Sequence, residues 1–253
     1  MRFINKKMIK EISFKNNRSQ NLSGVLHIPE GEGPFPAVVI FTGLASYKDK
    51  PHHINFRDKL AEAGIMAFAF DYTGHGKSEG QYLDFTVSQG IQNAKSAIEY
   101  LKQQKFVDEK RIGLSGTSLG ALIALALAAE IPQIKALVLM SPAINLAVAQ
   151  GQNLDPTKLK ELQEKGWLDY HGYQLSFEFL QDAQKLDGIS LLSKIKIPTL
   201  IIHGSQDQIV SVDIAKKLFA ILSCQKEFIV AENEGHDFRG KVLERVNWFK
   251  KYL

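Results

Sequence analysis

The sequence predicts an α/β domain with a mostly parallel sheet of about eight strands, helices on both faces and one inserted segment. Three observations predict it. Apolar runs such as Ala37-Val38-Val39-Ile40-Phe41 do not alternate with polar residues, as expected of strands covered on both faces. From Pro36 onward strand-like and helix-like stretches follow one another in turn. Between Ser141 and Ile195 that alternation stops for too long to be a simple connection.

The elements follow in order. Met8 to Phe14 and Leu22 to Ile28 flank the polar turn Asn16-Asn17-Arg18 and read as an antiparallel pair. Ala37 to Phe41 is the first parallel strand. A helix over about His53 to Ala63 ends at Gly64, a C-cap residue. Ile65 to Phe70 is a strand. Val87 to Gln104 is a helix whose apolar stripe runs through Ile91, Ala94, Ala97, Ile98 and Leu101. Arg111 to Ser115 is a buried strand, Ala121 to Ala129 a buried helix, and Ala136 to Met140 a strand. After the interruption come strand Pro198 to His203, helix Val212 to Leu222, strand Lys226 to Val230 and helix Leu243 to Tyr252. The division expected is a core of residues 1–141 and 196–253 with a helical insertion of residues 142–195. That insertion carries Trp167, Tyr170, His171, Tyr173, Phe177 and Phe179 among polar residues.

Composition narrows the function classes. With 253 residues, 45% of them hydrophobic, the chain suits one domain with a large core. The net charge of +4 is scattered, and no run of five basic residues occurs, so nucleic-acid binding is not expected. Cys224 is the one cysteine, which excludes an intrachain disulfide. It reads as a small buried or half-buried side chain. The N-terminal stretch lacks the apolar core of a leader. The longest apolar run, Ala121 to Ala129, is too short to span a bilayer. A cytoplasmic protein is expected.

The chemistry centres on Gly116-Thr117-Ser118-Leu119-Gly120, a G-x-S-x-G pattern between a buried strand and a buried helix. In that setting it describes a nucleophile elbow, a sharp turn that lifts the serine hydroxyl clear of the backbone. A serine hydroxyl needs a base to take its proton, and the base needs a carboxylate to hold its tautomer. Asp207 follows one predicted strand and His236 follows the next. Loops after parallel strands emerge on one edge of the sheet, so Ser118, Asp207 and His236 are expected to meet there. His203 reads as a packed structural histidine, and His75 as an organiser of its turn-rich loop. Backbone N–H donors for a tetrahedral oxyanion are expected from Leu119, first in its helix, and from Leu44, in the loop opened by Gly43.

These residues resemble those of the α/β-hydrolases, and in particular the bacterial serine hydrolases related to monoacylglycerol lipases, serine aminopeptidases and cinnamoyl or feruloyl esterases. The resemblance covers nearly the whole chain. It rests on Phe41-Thr42-Gly43-Leu44, Lys48 to His53, Asp71 to Ser78, the elbow, His203 to Asp207, and Gly235-His236. Thr42-Gly43 departs from the His-Gly of many relatives, which keeps the backbone donor but removes an aromatic ring. Pro51-His52-His53 resembles the cinnamoyl esterase branch. The insertion stands where the family carries its lid.

The resemblance implies a serine hydrolase of carboxylic esters, on small acyl or aromatic, feruloyl-like groups, acting through an acyl-enzyme on a small-molecule ester. No cofactor or metal is required. Thr42, His52, Trp167, Tyr170 and Tyr173 are the candidates for substrate contact. Alternatives are a monoacylglycerol or lysophospholipid lipase, and an aminopeptidase or amide hydrolase, for which Asp155, Asp169 or Asp182 would have to bind an amine. A non-catalytic binding protein on the same fold is a third. A homodimer is left open.

Overall fold

The computed structural model describes residues 7–144 and 156–253. The described strands of the main sheet are β1 (Met8–Lys15), β2 (Asn21–Ile28), β3 (Phe35–Phe41), β4 (Met66–Phe70), β5 (Val107–Thr117), β6 (Ile134–Met140), β9 (Thr199–Gly204) and β10 (Lys226–Ala231). They lie in the order β1-β2-β4-β3-β5-β6-β9-β10. β1 pairs antiparallel with β2, and β2 antiparallel with β4; from β4 to β10 every pairing is parallel. The carboxyl ends of β3, β5, β6, β9 and β10 therefore share one edge of the sheet.

Each face of the sheet is covered. In β3, Ala37, Val39 and Phe41 join one apolar cluster while Val38 and Ile40 join the other, which is why this strand is apolar throughout. Helices α1 (Pro51–Glu62) and α8 (Val242–Tyr252) supply Phe56, Leu60, Val246 and Phe249 to the second cluster. Helices α2 (Val87–Lys102), α3 (Leu119–Glu130) and α7 (Val212–Ile221) cover the first. Every residue of α3 from Leu119 to Leu127 is buried, so its sequence shows no polar stripe.

Boundaries differ from expectation where backbone pairing outruns the apolar pattern. β5 begins at Val107, four residues before the predicted start, because Val107 pairs with Phe35 across a register shift. Helix α1 begins at Pro51, whose missing N–H costs nothing in a first turn.

The segment after β6 rejoins the sheet at β9, the neighbour of β6. Its described part contains α4 (Pro156–Lys165), the antiparallel hairpin β7 (Trp167–Tyr170) and β8 (Tyr173–Ser176), α5 (Phe177–Ala183) and α6 (Gly188–Lys194). The purely helical insertion expected from sequence thus holds a β-hairpin as well. Its strands are four residues each and carry no alternation long enough to read. Phe179 and Leu192 join the core cluster, so α5 and α6 are packed into the main body. Asp182 accepts from the Ser88 amide (2.6 Å) and hydroxyl (2.8 Å) in the first turn of α2, fastening α5 there. The hairpin rests on a 3-10 turn at Tyr82–Asp84 through the rings of Tyr173 and Tyr82, 4.7 Å apart. Among the described residues no helix is long and apolar enough to cross a membrane.

Candidate active site

The turn between β5 and α3 places Ser118 at φ 55°, ψ −117°, a backbone state that side chains rarely adopt. Two glycines make the turn possible by close approach. A Cβ on Gly116 would overlap the Gly120 carbonyl, and one on Gly120 would overlap the Phe41 carbonyl in β3. The strained serine is held by its amide, which donates to the Met140 carbonyl at 2.9 Å, and by the first turn of α3.

The loops after β9 and β10 are laced to each other. Ser205 N–H donates to Ala231 O (3.0 Å), Gln206 N–H to Glu234 O (2.9 Å), and Asn233 N–H to Ser205 Oγ (2.9 Å). This register sets Asp207 beside His236. Ser141 Oγ donates to the His236 carbonyl at 3.1 Å and fixes the second loop against β6.

The three residues expected to meet are brought together. Ser118 Oγ lies 2.9 Å from His236 Nε2, and His236 Nδ1 lies 2.8 Å from Asp207 Oδ2. Asp207 Oδ1 accepts from the Ile209 and Val210 amides at 2.9 and 2.8 Å. His203 is fully buried; its Nε2 lies 2.7 Å from the Val210 carbonyl and 3.0 Å from Asp207 Oδ2. Burial alone would raise the Asp207 pKa and is the largest single influence. The hydrogen bonds from His203, His236 and Val210 together outweigh it and hold the carboxyl below its ordinary range. Asp207 is thus an anion facing His236 Nδ1, which sets Nδ1 as the donor and leaves Nε2 toward Ser118.

The loop after β3 abuts the serine: a Cβ on Gly43 would stand 3.4 Å from Ser118 Cβ. Leu119, first in α3, has no helical acceptor four residues back for its amide. The Leu44 amide likewise has no internal acceptor among the hydrogen bonds of its loop. That loop is braced from behind. Lys48, fully buried, donates from its amide and its Nζ to the two Asp71 oxygens at 2.7 and 3.1 Å, and the Lys77 amide donates to Asp71 at 3.0 Å. His75, buried against the rings of Tyr82 and Phe85 and bonded through Nδ1 to the Thr73 carbonyl, is pushed by burial to a pKa of about 4, so it is a neutral packing group.

Ser118 opens into a cavity of about 420 Å³. Leu44, Gly43, Ser118 and His236 form one side, and Tyr170, His171 and Tyr173 of the hairpin form another. A third is basic: Lys50, His52, His53, Arg239 and Arg245. Burial, reinforced by His52, Arg245, Arg57 and Lys50, lowers His53 to a pKa of about 2; His52 is also lowered, by burial and then by Arg239, Lys50 and Arg245. Of the substrate-contact candidates, His52, Tyr170 and Tyr173 line the cavity. Thr42 does not: it is fully buried behind the turn of Gly120. Trp167 does not either, since it sits at the far end of β7, opposite Ser176. Asp169 accepts from Gly172 within the hairpin turn, and neither it nor Asp182 reaches the cavity. Asp155 lies outside the described residues.

Sequence reading missed Arg245. The signal was present: Arg245 stands three and four residues before Trp248 and Phe249, on the apolar stripe of α8, where a charged residue is out of place.

Comparison with known proteins agrees with this fold. Residues 32–186 match the family described as serine aminopeptidase, S33. An uncharacterised protein of Mycobacterium tuberculosis is 30% identical over 212 residues, covering 83% of this chain and 66% of that protein, so the chain spans just under two thirds of that relative's length. The bovine palmitoyl-protein thioesterase ABHD10 is 24% identical over 222 residues, covering 83% of this chain and 70% of its own. Among solved structures, Est1E from Butyrivibrio proteoclasticus with ferulic acid bound superimposes with a TM-score of 0.83 at 24% identity, over 95% of this chain and 96% of that one. With the parallel sheet, the strained serine between β5 and α3 and the family match all in agreement, the chain belongs to the serine aminopeptidase S33 family of α/β-hydrolases.

Proposed function

We propose that the protein is a serine hydrolase of carboxylic esters, with Ser118, His236 and Asp207 as its catalytic triad. The observation that carries this reading is the unbroken hydrogen-bond chain from Ser118 Oγ through His236 to Asp207, at 2.9 and 2.8 Å, at the mouth of a cavity. His236 Nε2 takes the Ser118 proton as Oγ attacks the acyl carbonyl. The Leu44 and Leu119 amides donate to the oxyanion of the tetrahedral intermediate. The imidazolium, held by the Asp207 carboxylate, returns its proton to the departing alkoxide, and an acyl-enzyme remains. Water then attacks that ester, with His236 again as base, to release the carboxylic acid and restore Ser118.

Residues 142–195 are proposed to act as the lid of a core formed by residues 1–141 and 196–253, with Tyr170 and Tyr173 against an aromatic or small acyl group. Est1E, with ferulic acid bound, supports an aromatic acyl group by likeness of fold. An aminopeptidase would need a carboxylate to hold a substrate amine. Asp169 and Asp182 are committed to the hairpin turn and to α2, and among the described residues of the lining basic side chains outnumber the one acid, Asp237. This favours esters over aminoacyl substrates.

Two measurements test the reading. A fluorophosphonate is expected to label the protein at Ser118 alone. A panel of feruloyl, straight-chain and aminoacyl-anilide substrates is expected to give turnover on the esters and little on the anilides. Absence of labelling, or faster anilide than ester cleavage, overturns it.

A further inference from the structure

Among the described residues three lysine or arginine side chains are buried, and two of them have acids. Lys48 meets Asp71 and Asp49 at 3.1 and 3.0 Å, and Arg57 lies 3.9 Å from Asp49. Arg245, 5% exposed, has none among the described residues. Its Nη2 donates to Ser115 Oγ at 3.1 Å, its guanidinium lies 3.5 Å over the Phe56 ring, and its Nε is buried with no partner. Burial lowers its pKa only to about 9, so it is still a cation at neutral pH. A buried charge without a counter-charge is destabilising, and its pairing by a ligand would recover much of that loss.

Arg245 also lines the cavity that Ser118 opens into. Lys50, His52 and Arg239 line it too, and Asp237, the one carboxylate among the described residues of the lining, is not among the groups that shift Arg245. Burial lowers the pKa values of His52 and His53, and the cations around them, Arg245 and Lys50 among them, lower both further, so the field on this side of the cavity is positive. A guanidinium pairs with a planar carboxylate through parallel N–H donors, and its single charge balances that of one carboxylate.

We propose that Arg245 is the floor of an anion subsite and that the ester cleaved at Ser118 carries a free carboxylate on the portion that reaches it. The inference rests on the Ser118 reading above. Lys50 and Arg239 steer the charged ester inward, and Arg245 fixes it while Ser118 attacks.

The test compares each carboxylate with its carboxamide. On the acyl side the pair is mono-p-nitrophenyl glutarate and p-nitrophenyl glutaramate; on the alcohol side it is O-butyryl glycolate and O-butyryl glycolamide. The expected result is a kcat/KM ratio of about tenfold to hundredfold in favour of the carboxylate in one pair. In Arg245→Met the ratio is expected to fall toward one, and being a ratio it is insensitive to a general loss of activity. Fluorophosphonate labelling of the variant shows whether it is folded. Should it not fold, wild-type inhibition serves instead: glutarate is expected to compete with p-nitrophenyl acetate at least tenfold more tightly than glutaramide. Ratios near one in both pairs on protein that labels, an unchanged ratio in labelled Arg245→Met, or equal inhibition by glutarate and glutaramide overturns the subsite. Wild-type protein that resists the fluorophosphonate overturns the Ser118 reading instead.

Discussion

The elbow at Gly116 to Gly120 and the hairpin β7–β8 face each other across the same cavity, yet they are held by different means. The elbow is fixed by its own backbone: two glycines allow carbonyls to pack where a Cβ would overlap, and β3, β5 and β6 register around it. The hairpin has four-residue strands and is placed by side chains, Tyr173 on Tyr82 and then Tyr82 on His75. A site built on backbone geometry keeps its chemistry when surface residues change. A wall built on side-chain contacts can be re-aimed by a few substitutions, so reaction and selectivity can change separately.

Four substitutions test that contrast, from the strongest effect to the weakest. Ser118→Ala is expected to lower kcat by about 10⁵-fold to 10⁶-fold. Its thermal midpoint should stay within about 2 °C, since Ala takes up the same backbone strain; calorimetry beside a p-nitrophenyl ester assay checks both. Asp207→Asn should cost about 10⁴-fold in kcat, because an amide at that place no longer sets the His236 tautomer.

The same residue predicts a pH dependence. The folded-state pKa of Asp207 is depressed by its hydrogen-bond donors, so protons bind the unfolded chain more readily. The stability it contributes is complete above the unfolded value of about 4 and is lost as pH falls through the folded value. Denaturant titrations should therefore show the gap between wild type and Asp207→Asn closing as the pH drops below about 4. A gap that widens there would contradict the depressed pKa.

Lys48→Met leaves the buried Asp71 without its ion pair, and is expected to cost about 3–5 kcal/mol in urea unfolding. Activity should fall at temperatures where the variant is still folded, because the Leu44 loop loses its brace. Tyr173→Ala, at a half-exposed ring on the hairpin, should change stability by about 1 kcal/mol and act mainly on KM. A large fall in kcat for this variant would mean that the hairpin positions Ser118 chemistry after all.

Much of the fold was legible from strand-like runs and turn residues. The antiparallel opening, the parallel strands and the helix ending at Gly64 all stand where periodicity placed them, because apolar residues covered on both faces leave few other options. The start of β5 was not legible, since it is set by the pairing of Val107 with Phe35 of β3 and not by the composition of the stretch that follows. Nor was the hairpin, whose strands are shorter than any usable period. Among the candidate contacts, His52, Tyr170 and Tyr173 reach the cavity. Thr42 and Trp167 do not, because the direction of a side chain at a loop or strand end depends on the neighbouring elements.

By itself, the sequence determined the class of fold, the sharp turn at a serine between a buried strand and a buried helix, and the order Ser118, Asp207, His236, each after the end of a strand. These follow from local rules: glycine where backbones touch, apolar runs where two faces are covered, and loops on the carboxyl edge of a parallel sheet. Only the tertiary structure decided which side chains share the cavity. Arg245 is 127 residues from Ser118 in the chain. It becomes part of the same cavity because α8 packs beside α1 and turns a cation inward with no acid among the described residues to meet it.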